Sequence, residues 1–148
     1  MKISEHFTLE EFVFSESAVR LGLDNTPGKL AIANMVRMAA FMERIRTLLG
    51  DHPIVVHSGY RSLQVDGAVG GVITSAHCHG LACDFISPIF GTPGETALAI
   101  LTSDLPYDQL ILEYGWVHVS LPEDGEVARR ESLTKPSKEA PYKSGISC

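Results

Sequence analysis

The sequence has 148 residues, a formal net charge of −6 and a hydrophobic content of 45%, as expected of one compact soluble domain. Its 12 basic side chains are scattered among 18 acidic ones, which excludes the concentrated basic surface of a nucleic-acid-binding protein. No run of about 18 apolar residues predicts a membrane span. Glu5, Glu10 and Glu11 interrupt the uncharged core that a signal peptide would need.

The first half of the chain predicts mainly helices. Thr8, followed by two glutamates, indicates a capped short helix, and a second short turn is predicted over 16–21. Apolar residues at three- and four-residue steps from Leu30 to Leu49 predict the longest helix, which Gly50 ends. The segment 53–58 is typical of a short strand.

The second half predicts strands around one more helix. The segment 61–75 is polar and Gly-rich, with a short helix inside a long connection of the kind that often carries function. The pair Tyr114-Gly115 suits a two-residue hairpin loop. The further predictions are strands at 82–86, 109–113, 116–120 and 127–134, a helix at 94–103 and an irregular tail at 135–148.

Three polar side chains can converge on one point of this sheet. Asp84 shares its strand face with the apolar Ala82 and Ile86, where a lone carboxylate is costly unless it is paired or binds a metal. His118 lies on a second strand, and His77 precedes Asp84 by seven residues. Two imidazoles and a carboxylate form a familiar catalytic zinc set with one open position. On spacing alone, unrelated polar residues remain the alternative.

Several segments resemble, in the same order, motifs of the zinc D-Ala-D-Ala carboxypeptidase family, which shares its fold with the Hedgehog signalling domain. Residues 75–84 match S-x-H-x-x-G-x-A-x-D, 116–120 resemble the W-x-H element, 58–62 resemble S-G-Y-R-S, and 69–71 also fit. The opening at residues 6–11 is similar to that of short, often phage-encoded members that cut peptidoglycan peptides. The resemblance extends from about Phe7 to about Thr134. It implies an α+β fold with a small antiparallel sheet packed with helices, as one zinc peptidase domain over 1–148.

The same resemblance implies roles for individual residues. His77, Asp84 and His118 would bind Zn²⁺ as the cofactor. Arg61 would meet the substrate carbonyl or carboxylate, where a guanidinium can stabilise developing oxyanion charge, and Ser75 would bind substrate or a ligand. Tyr60 and Trp116 would shape the cleft walls. The alternatives are a salt bridge for Arg61, a turn cap for Ser75, and plain packing for Tyr60 and Trp116.

The general base departs from the family pattern. Many relatives carry an acidic residue three positions before the last histidine ligand, but this chain has Gly115 there. In the predicted hairpin, Glu113 lies opposite Trp116 and diagonal to His118, with Cβ atoms within about 7–8 Å. We therefore expect Glu113 to be the base. A surface glutamate at a hairpin corner is the alternative, and Asp108 is a weaker substitute.

Four residues near the motifs remain without a firm role. His79 stands at a position that relatives fill with a residue that is not a ligand. Cys78 and Cys83 suggest an alternative His/Cys zinc site. A structural site would normally add a second Cys or His pair at short spacing, and the sequence has none. Cys83 is also predicted to point into the core. Asp66 stands where relatives have Asn.

The leading interpretation is a zinc metallopeptidase that hydrolyses a D-amino-acid-containing bond of peptidoglycan, as a D,D-carboxypeptidase or an endolysin-like endopeptidase. Two alternatives stay open: a catalytically silent zinc-binding domain of a wall or virion, and an intracellular D-Ala-D-Ala dipeptidase. The expected partner is a peptidoglycan stem peptide, with no nucleic acid, no membrane insertion and a monomeric state. We expect the protein to stay in the host cytoplasm until lysis and to act at the cell wall.

Overall fold

The computed structural model describes residues 1–71 and 75–148, and this part of the chain forms an α+β fold of helices packed on one sheet. The fold class predicted from the sequence is confirmed. In chain order the elements are α1 (Leu9–Val13), α2 (Glu16–Leu21), α3 (Lys29–Leu48), β1 (Val55–Ser58), α4 (Leu63–Ala68), a 3₁₀-helix (Ala76–His79), β2 (Ala82–Ile86), α5 (Pro93–Leu101), β3 (Gln109–Leu112), β4 (Val117–Ser120), β5 (Glu131–Thr134) and β6 (Lys143–Ser144).

The strands lie in the order β1-β2-β4-β3-β5-β6. The pairs β1/β2, β2/β4, β3/β4 and β5/β6 are antiparallel, whereas β5 runs parallel to β3. The predicted sheet was antiparallel throughout, so this one parallel pair is a difference. It arises because the chain crosses back after β4 and enters β5 in the direction of β3. The C-terminal segment is thereby placed beside the central hairpin.

The hydrophobic core lies on one face of the sheet. Alternation along the strands turns Cys83 and Phe85 of β2, with Val117 and Val119 of β4, toward α3 and α5. The apolar stripe of α3 covers these residues and is fully buried at Met38, Met42 and Ile45. The Met-rich stripe is therefore core, and the opposite sheet face is left for polar groups.

Local signals predicted most element boundaries. The capping box of α1 forms between Thr8 and Glu11, and β2 covers the predicted residues. The strand predicted at 127–134 is shorter, because Arg130 has a φ of 51° that breaks extended backbone before Glu131. The predicted irregular tail contains the two-residue strand β6. Within the predicted connection 61–75, residues 72–74 lie outside the described part.

Among the helices of the described residues, none combines the length and apolar character required to traverse a bilayer.

Candidate metal centre and active-site cleft

Strand register brings Asp84 and His118 together on the polar face of the sheet. Asp84 is the direct cross-strand partner of His118, and Ile111 pairs with His118 on its other side. Asp84 Oδ1 lies 2.8 Å from His118 Nδ1 and 3.2 Å from His77 Nε2. One potential ligand atom from each residue falls within 4.8 Å of the other two. These are the three residues that the motif implies as ligands.

The backbone around His77 fixes which ring nitrogen faces the cluster. His77 Nδ1 lies 2.6 Å from the carbonyl oxygen of Gly59, and since a carbonyl only accepts, Nδ1 must carry the proton. The lone pair of Nε2 is then free on the side of Asp84. Such an outer hydrogen bond is the usual way in which a metal-binding histidine is oriented. The side chain is 3% exposed, so its orientation is held by packing as well.

The 3₁₀-helix that carries His77 is anchored from both ends. Ser75 Oγ accepts a hydrogen bond from the His77 backbone N–H at 3.2 Å. Gly80 ends the helix with a φ of 74°, and a Cβ there would lie 2.6 Å from the carbonyl oxygen of Ala31. Only glycine satisfies both constraints. This explains the glycine of the motif, which lets the turn pack closely on α3.

Asn34 is a supporting residue that sequence reasoning missed. Its side-chain amide lies in α3, is nearly fully buried and donates to the carbonyl oxygen of His79 at 2.9 Å. The contact ties the 3₁₀-helix to the longest helix. A polar residue inside the apolar stripe of α3 was the available signal, because a buried amide needs a partner.

The electrostatics of the cluster fit a cation. Burial alone would raise the pKa of Asp84, but the adjacent imidazoles of His77 and His118 outweigh it and hold that pKa below its usual range. Over residues 1–71 and 75–148, these imidazoles are the only basic groups within 4.0 Å of the Asp84 carboxylate. A half-buried carboxylate beside two imidazole nitrogens is a ligand set that suits a zinc-type metal ion.

Glu113 occupies the position that the predicted hairpin gave it. Its backbone N–H donates to the carbonyl oxygen of Trp116 at 3.0 Å, and Leu112 pairs with Val117. Glu113 is therefore diagonal to His118 on the same sheet face.

Burial raises the pKa of Glu113, and the charge of Asp84 raises it further, against smaller lowering effects of His118, Lys135 and Arg61. A carboxyl group with a raised pKa beside a metal site is suited to proton transfer.

Gly115 cannot readily carry the acid that many relatives have there. Its φ is 130°, a backbone conformation that L-residues with a side chain rarely adopt. The connection between β3 and β4, residues 113–116, therefore favours glycine at this position. The departure from the family pattern has a local backbone cause.

Arg61 reaches the cleft with a buried counter-ion behind it. Its Nε lies 3.3 Å from Oδ1 of Asp66, whose side chain is 2% exposed, and its backbone N–H donates to the carbonyl oxygen of His77 at 3.1 Å. The space for the Asp66 carboxylate exists because residue 71 is glycine. Asp66 thus positions Arg61.

Burial, and then the charge of Asp66, raises the pKa of the Cys78 thiol to about 11.

The remaining predicted or uncertain residues take up different positions. Trp116 and Ser75 line the cleft beside the metal cluster. Tyr60 is partly buried and packs against the hydrophobic core, which agrees with the packing alternative to its predicted cleft-wall role, and its backbone N–H donates to the Phe12 carbonyl oxygen at 2.7 Å. Cys83 lies in the core as predicted, whereas the exposed His79 lines the cleft without joining the cluster.

The cleft has a volume of about 1110 Å³ and extends along the strands on both sides of the cluster. One end contains Tyr114, Trp116 and Glu113, and the other contains Gln109 and Ser120. The C-terminal segment lines both ends, which the sequence did not predict. Its contributions are Leu121, Pro122, Glu123, Glu126, Val127, Arg129, Lys135, Lys138 and Tyr142.

Comparison with known proteins assigns this arrangement to a family. No curated protein matches the chain. Residues 5–120, which carry all three members of the metal cluster, match the family described as Peptidase M15. The resemblance to zinc D-Ala-D-Ala carboxypeptidases is thereby confirmed at the level of the family. The chain belongs to the peptidase M15 family.

Proposed function

We propose that this peptidase uses Zn²⁺ to hydrolyse a D-amino-acid-containing peptide bond of peptidoglycan. The observation that carries the proposal is the convergence of His77 Nε2 and His118 Nδ1 on Asp84 Oδ1, with all three residues lining one cleft. Two nitrogens and one carboxylate oxygen are a zinc donor set that leaves a coordination position open for catalysis. When bound, Zn²⁺ supplies Lewis acidity, polarising a carbonyl and lowering the pKa of water.

Glu113 performs the proton transfers in this proposal. Its ionised carboxylate accepts a proton from the attacking water and returns it to the leaving amine, so that one residue serves as base and then as acid. Partial burial and the position diagonal to His118 support this role. The raised pKa brings the carboxyl group nearer to the working pH, where both transfers are feasible.

Arg61 and Trp116 bind the substrate around the reacting bond. The guanidinium of Arg61 forms an ion pair with Asp66, with Nε 3.3 Å from Oδ1 but without hydrogen-bond geometry, and its planar donors can stabilise charge on the carbonyl oxygen. The indole Nε1 of Trp116 is buried and has no hydrogen-bond partner within the described residues. Because an unsatisfied buried donor is costly, a substrate carbonyl is its natural acceptor. Ser75 lies at the same wall and contributes a hydroxyl group.

The shape of the cleft supports a peptide that continues beyond the cleaved bond. Its volume of about 1110 Å³ is slightly above the roughly 300–1,000 Å³ typical of small-molecule pockets. Lining residues continue past the metal cluster in both directions along the strands. A stem peptide attached to a polymer can lie along such a groove. This favours a wall substrate over a free dipeptide.

A digest of defined muropeptides by the purified, Zn²⁺-loaded protein tests the proposal. We expect release of D-Ala or of stem-peptide fragments, loss of that release with a chelator, and its return when Zn²⁺ is restored. Mass spectrometry of the products identifies the bond and distinguishes carboxypeptidase from endopeptidase activity.

A catalytically silent metal-binding domain is the second candidate, since glycine replaces the usual acid at position 115. Stable Zn²⁺ binding without cleavage of any muropeptide would establish it and contradict the proposed enzyme. Cleavage of free D-Ala-D-Ala but of no muropeptide would instead indicate a dipeptidase.

A further inference from the structure

Lys135 is placed at one end of the cleft by the parallel pairing of β5 with β3. Leu112 pairs with Thr134, and the backbone N–H of Lys135 donates to the Leu112 carbonyl oxygen at 2.8 Å. Continuing this register puts Lys135 beside Glu113, and both side chains line the cleft. Lys135 lies beyond the residues 5–120 that match the family. The family assignment therefore says nothing about it.

The ammonium group of Lys135 is held in place but retains free donors. Its Nζ donates to the carbonyl oxygen of Ala140 at 2.9 Å and lies 4.6 Å from the ring centroid of Tyr142. An ammonium has three N–H donors, so two remain for another partner. The side chain is partly buried, and the contacts with Ala140 and Tyr142 reduce the entropy that binding would otherwise cost.

Lys135 also lacks a counter-ion. Outside the undescribed residues 72–74, no carboxylate lies within 4.0 Å of its Nζ. The nearby Glu113 is the base in the proposed function and must stay free for proton transfer. Lys138 lines the cleft as well and adds positive charge. An anionic partner would stabilise a partly buried cation that has unused hydrogen-bond donors.

We propose that Lys135, with Lys138 and the ring of Tyr142, forms a subsite for a free carboxylate of the substrate peptide. This deepens the proposed function by naming a substrate class, namely a peptide that carries a carboxylate close to the cleaved bond. Lys135 lies two strands away from His118 across the sheet and two residues further along the strand direction. With strands about 4.8 Å apart and residues about 3.4 Å apart, the two Cα atoms are about 12 Å apart. An extended peptide covers that distance in about three to four residues.

Binding measurements on the zinc-free protein test the subsite separately from turnover. The probes are D-amino-acid-containing stem pentapeptides in which each carboxylate is left free or converted in turn to a carboxamide. We expect the wild type to bind one free-carboxylate form about tenfold tighter than its amide, the range of a charge-assisted hydrogen bond. K135M should remove this preference, and K135R should keep most of it.

K143M is the matched control, because Lys143 is exposed on β6 and does not line the cleft. It removes the same charge from the same segment and should leave the preference unchanged. A wild type that binds every amide as tightly as its acid overturns the subsite without any variant. Equal weakening of acid and amide by K135M shows instead that Lys135 only supports the tail. If carboxylate preference is found but no muropeptide is cleaved, the subsite stands and the proposed peptidase activity fails.

Discussion

The imidazole of His77 hydrogen-bonds through Nδ1 to the carbonyl oxygen of Gly59, 18 residues earlier, at 2.6 Å. The contact links the end of β1 to the 3₁₀-helix and leaves Nε2 to face Asp84 at 3.2 Å. Gly59 itself is closely packed, since a Cβ there would lie 2.6 Å from the Phe12 carbonyl oxygen. The orientation of His77 within the three-residue cluster thus depends on the backbone of Gly59, a residue that is not a candidate ligand.

Substituting Gly59 by alanine should therefore harm both stability and metal binding. The new methyl group must displace α1 or the end of β1, an overpacking cost of about 1–3 kcal/mol, and the displaced carbonyl would release the His77 ring. Urea unfolding and calorimetric Zn²⁺ titration measure the two effects. G67A is the control, because Gly67 lies inside α4 with no atom within 4 Å of the added Cβ. It should be neutral or stabilising by up to about 1 kcal/mol, so an equal loss in both variants would refute the explanation.

Metal binding should depend on His77 and not on His79, two residues away. Zn²⁺ at 1,000 times its dissociation constant should stabilise the wild type by about 4 kcal/mol, seen as a rise in melting temperature. H77A should lose this rise because one of three ligand atoms is removed. H79A should retain it, since His79 is about half exposed and outside the cluster. A full Zn²⁺ response in H77A would show that the metal binds elsewhere.

Removing the ionisable group of Glu113 should abolish turnover while leaving the metal bound. E113Q keeps the size of the side chain but cannot accept the proton of the attacking water, so we expect kcat to fall by about 100- to 10,000-fold. Zn²⁺ affinity should remain close to wild type, because Glu113 is not part of the cluster. E139Q makes the same substitution at an exposed tail residue that does not line the cleft, and it should retain full activity. Unimpaired activity of E113Q would exclude Glu113 as the base.

The pKa of Glu113 should be measurable directly in the zinc-free protein. Burial and the charge of Asp84 raise it, so NMR titration of the side-chain carboxyl carbon should give a value above the usual pKa of about 4.3. The sign means that Glu113 stays protonated to higher pH than a solvent-exposed glutamate. K135M should raise the pKa further, because it removes a cation that favours the carboxylate. K143M should leave it unchanged, and a value at or below the ordinary one would contradict the described environment.

Local sequence signals determined much of this structure. Apolar spacing and capping residues predicted α1, α3 and α5, and the Tyr114-Gly115 pair predicted the hairpin that puts Glu113 diagonal to His118. The three candidate ligands were predicted from the resemblance to family motifs, because only His77 and Asp84 are close in the chain, whereas His118 follows Asp84 by 34 residues. Residues that are close in the chain form turns and strands whose geometry follows from nearest neighbours.

The tertiary structure alone decided the supporting contacts. Asn34 binds the His79 carbonyl across 45 residues, and the backbone N–H of Tyr60 donates to the carbonyl oxygen of Phe12, 48 residues earlier. Lys135 reaches the cleft only because β5 pairs in parallel with β3. Such contacts join segments far apart in the chain, and their partners are selected by packing of the whole core, which no local pattern specifies. The sequence, through its motifs, therefore determined the candidate metal ligands, whereas the fold determined what orients them and what lines the cleft around them.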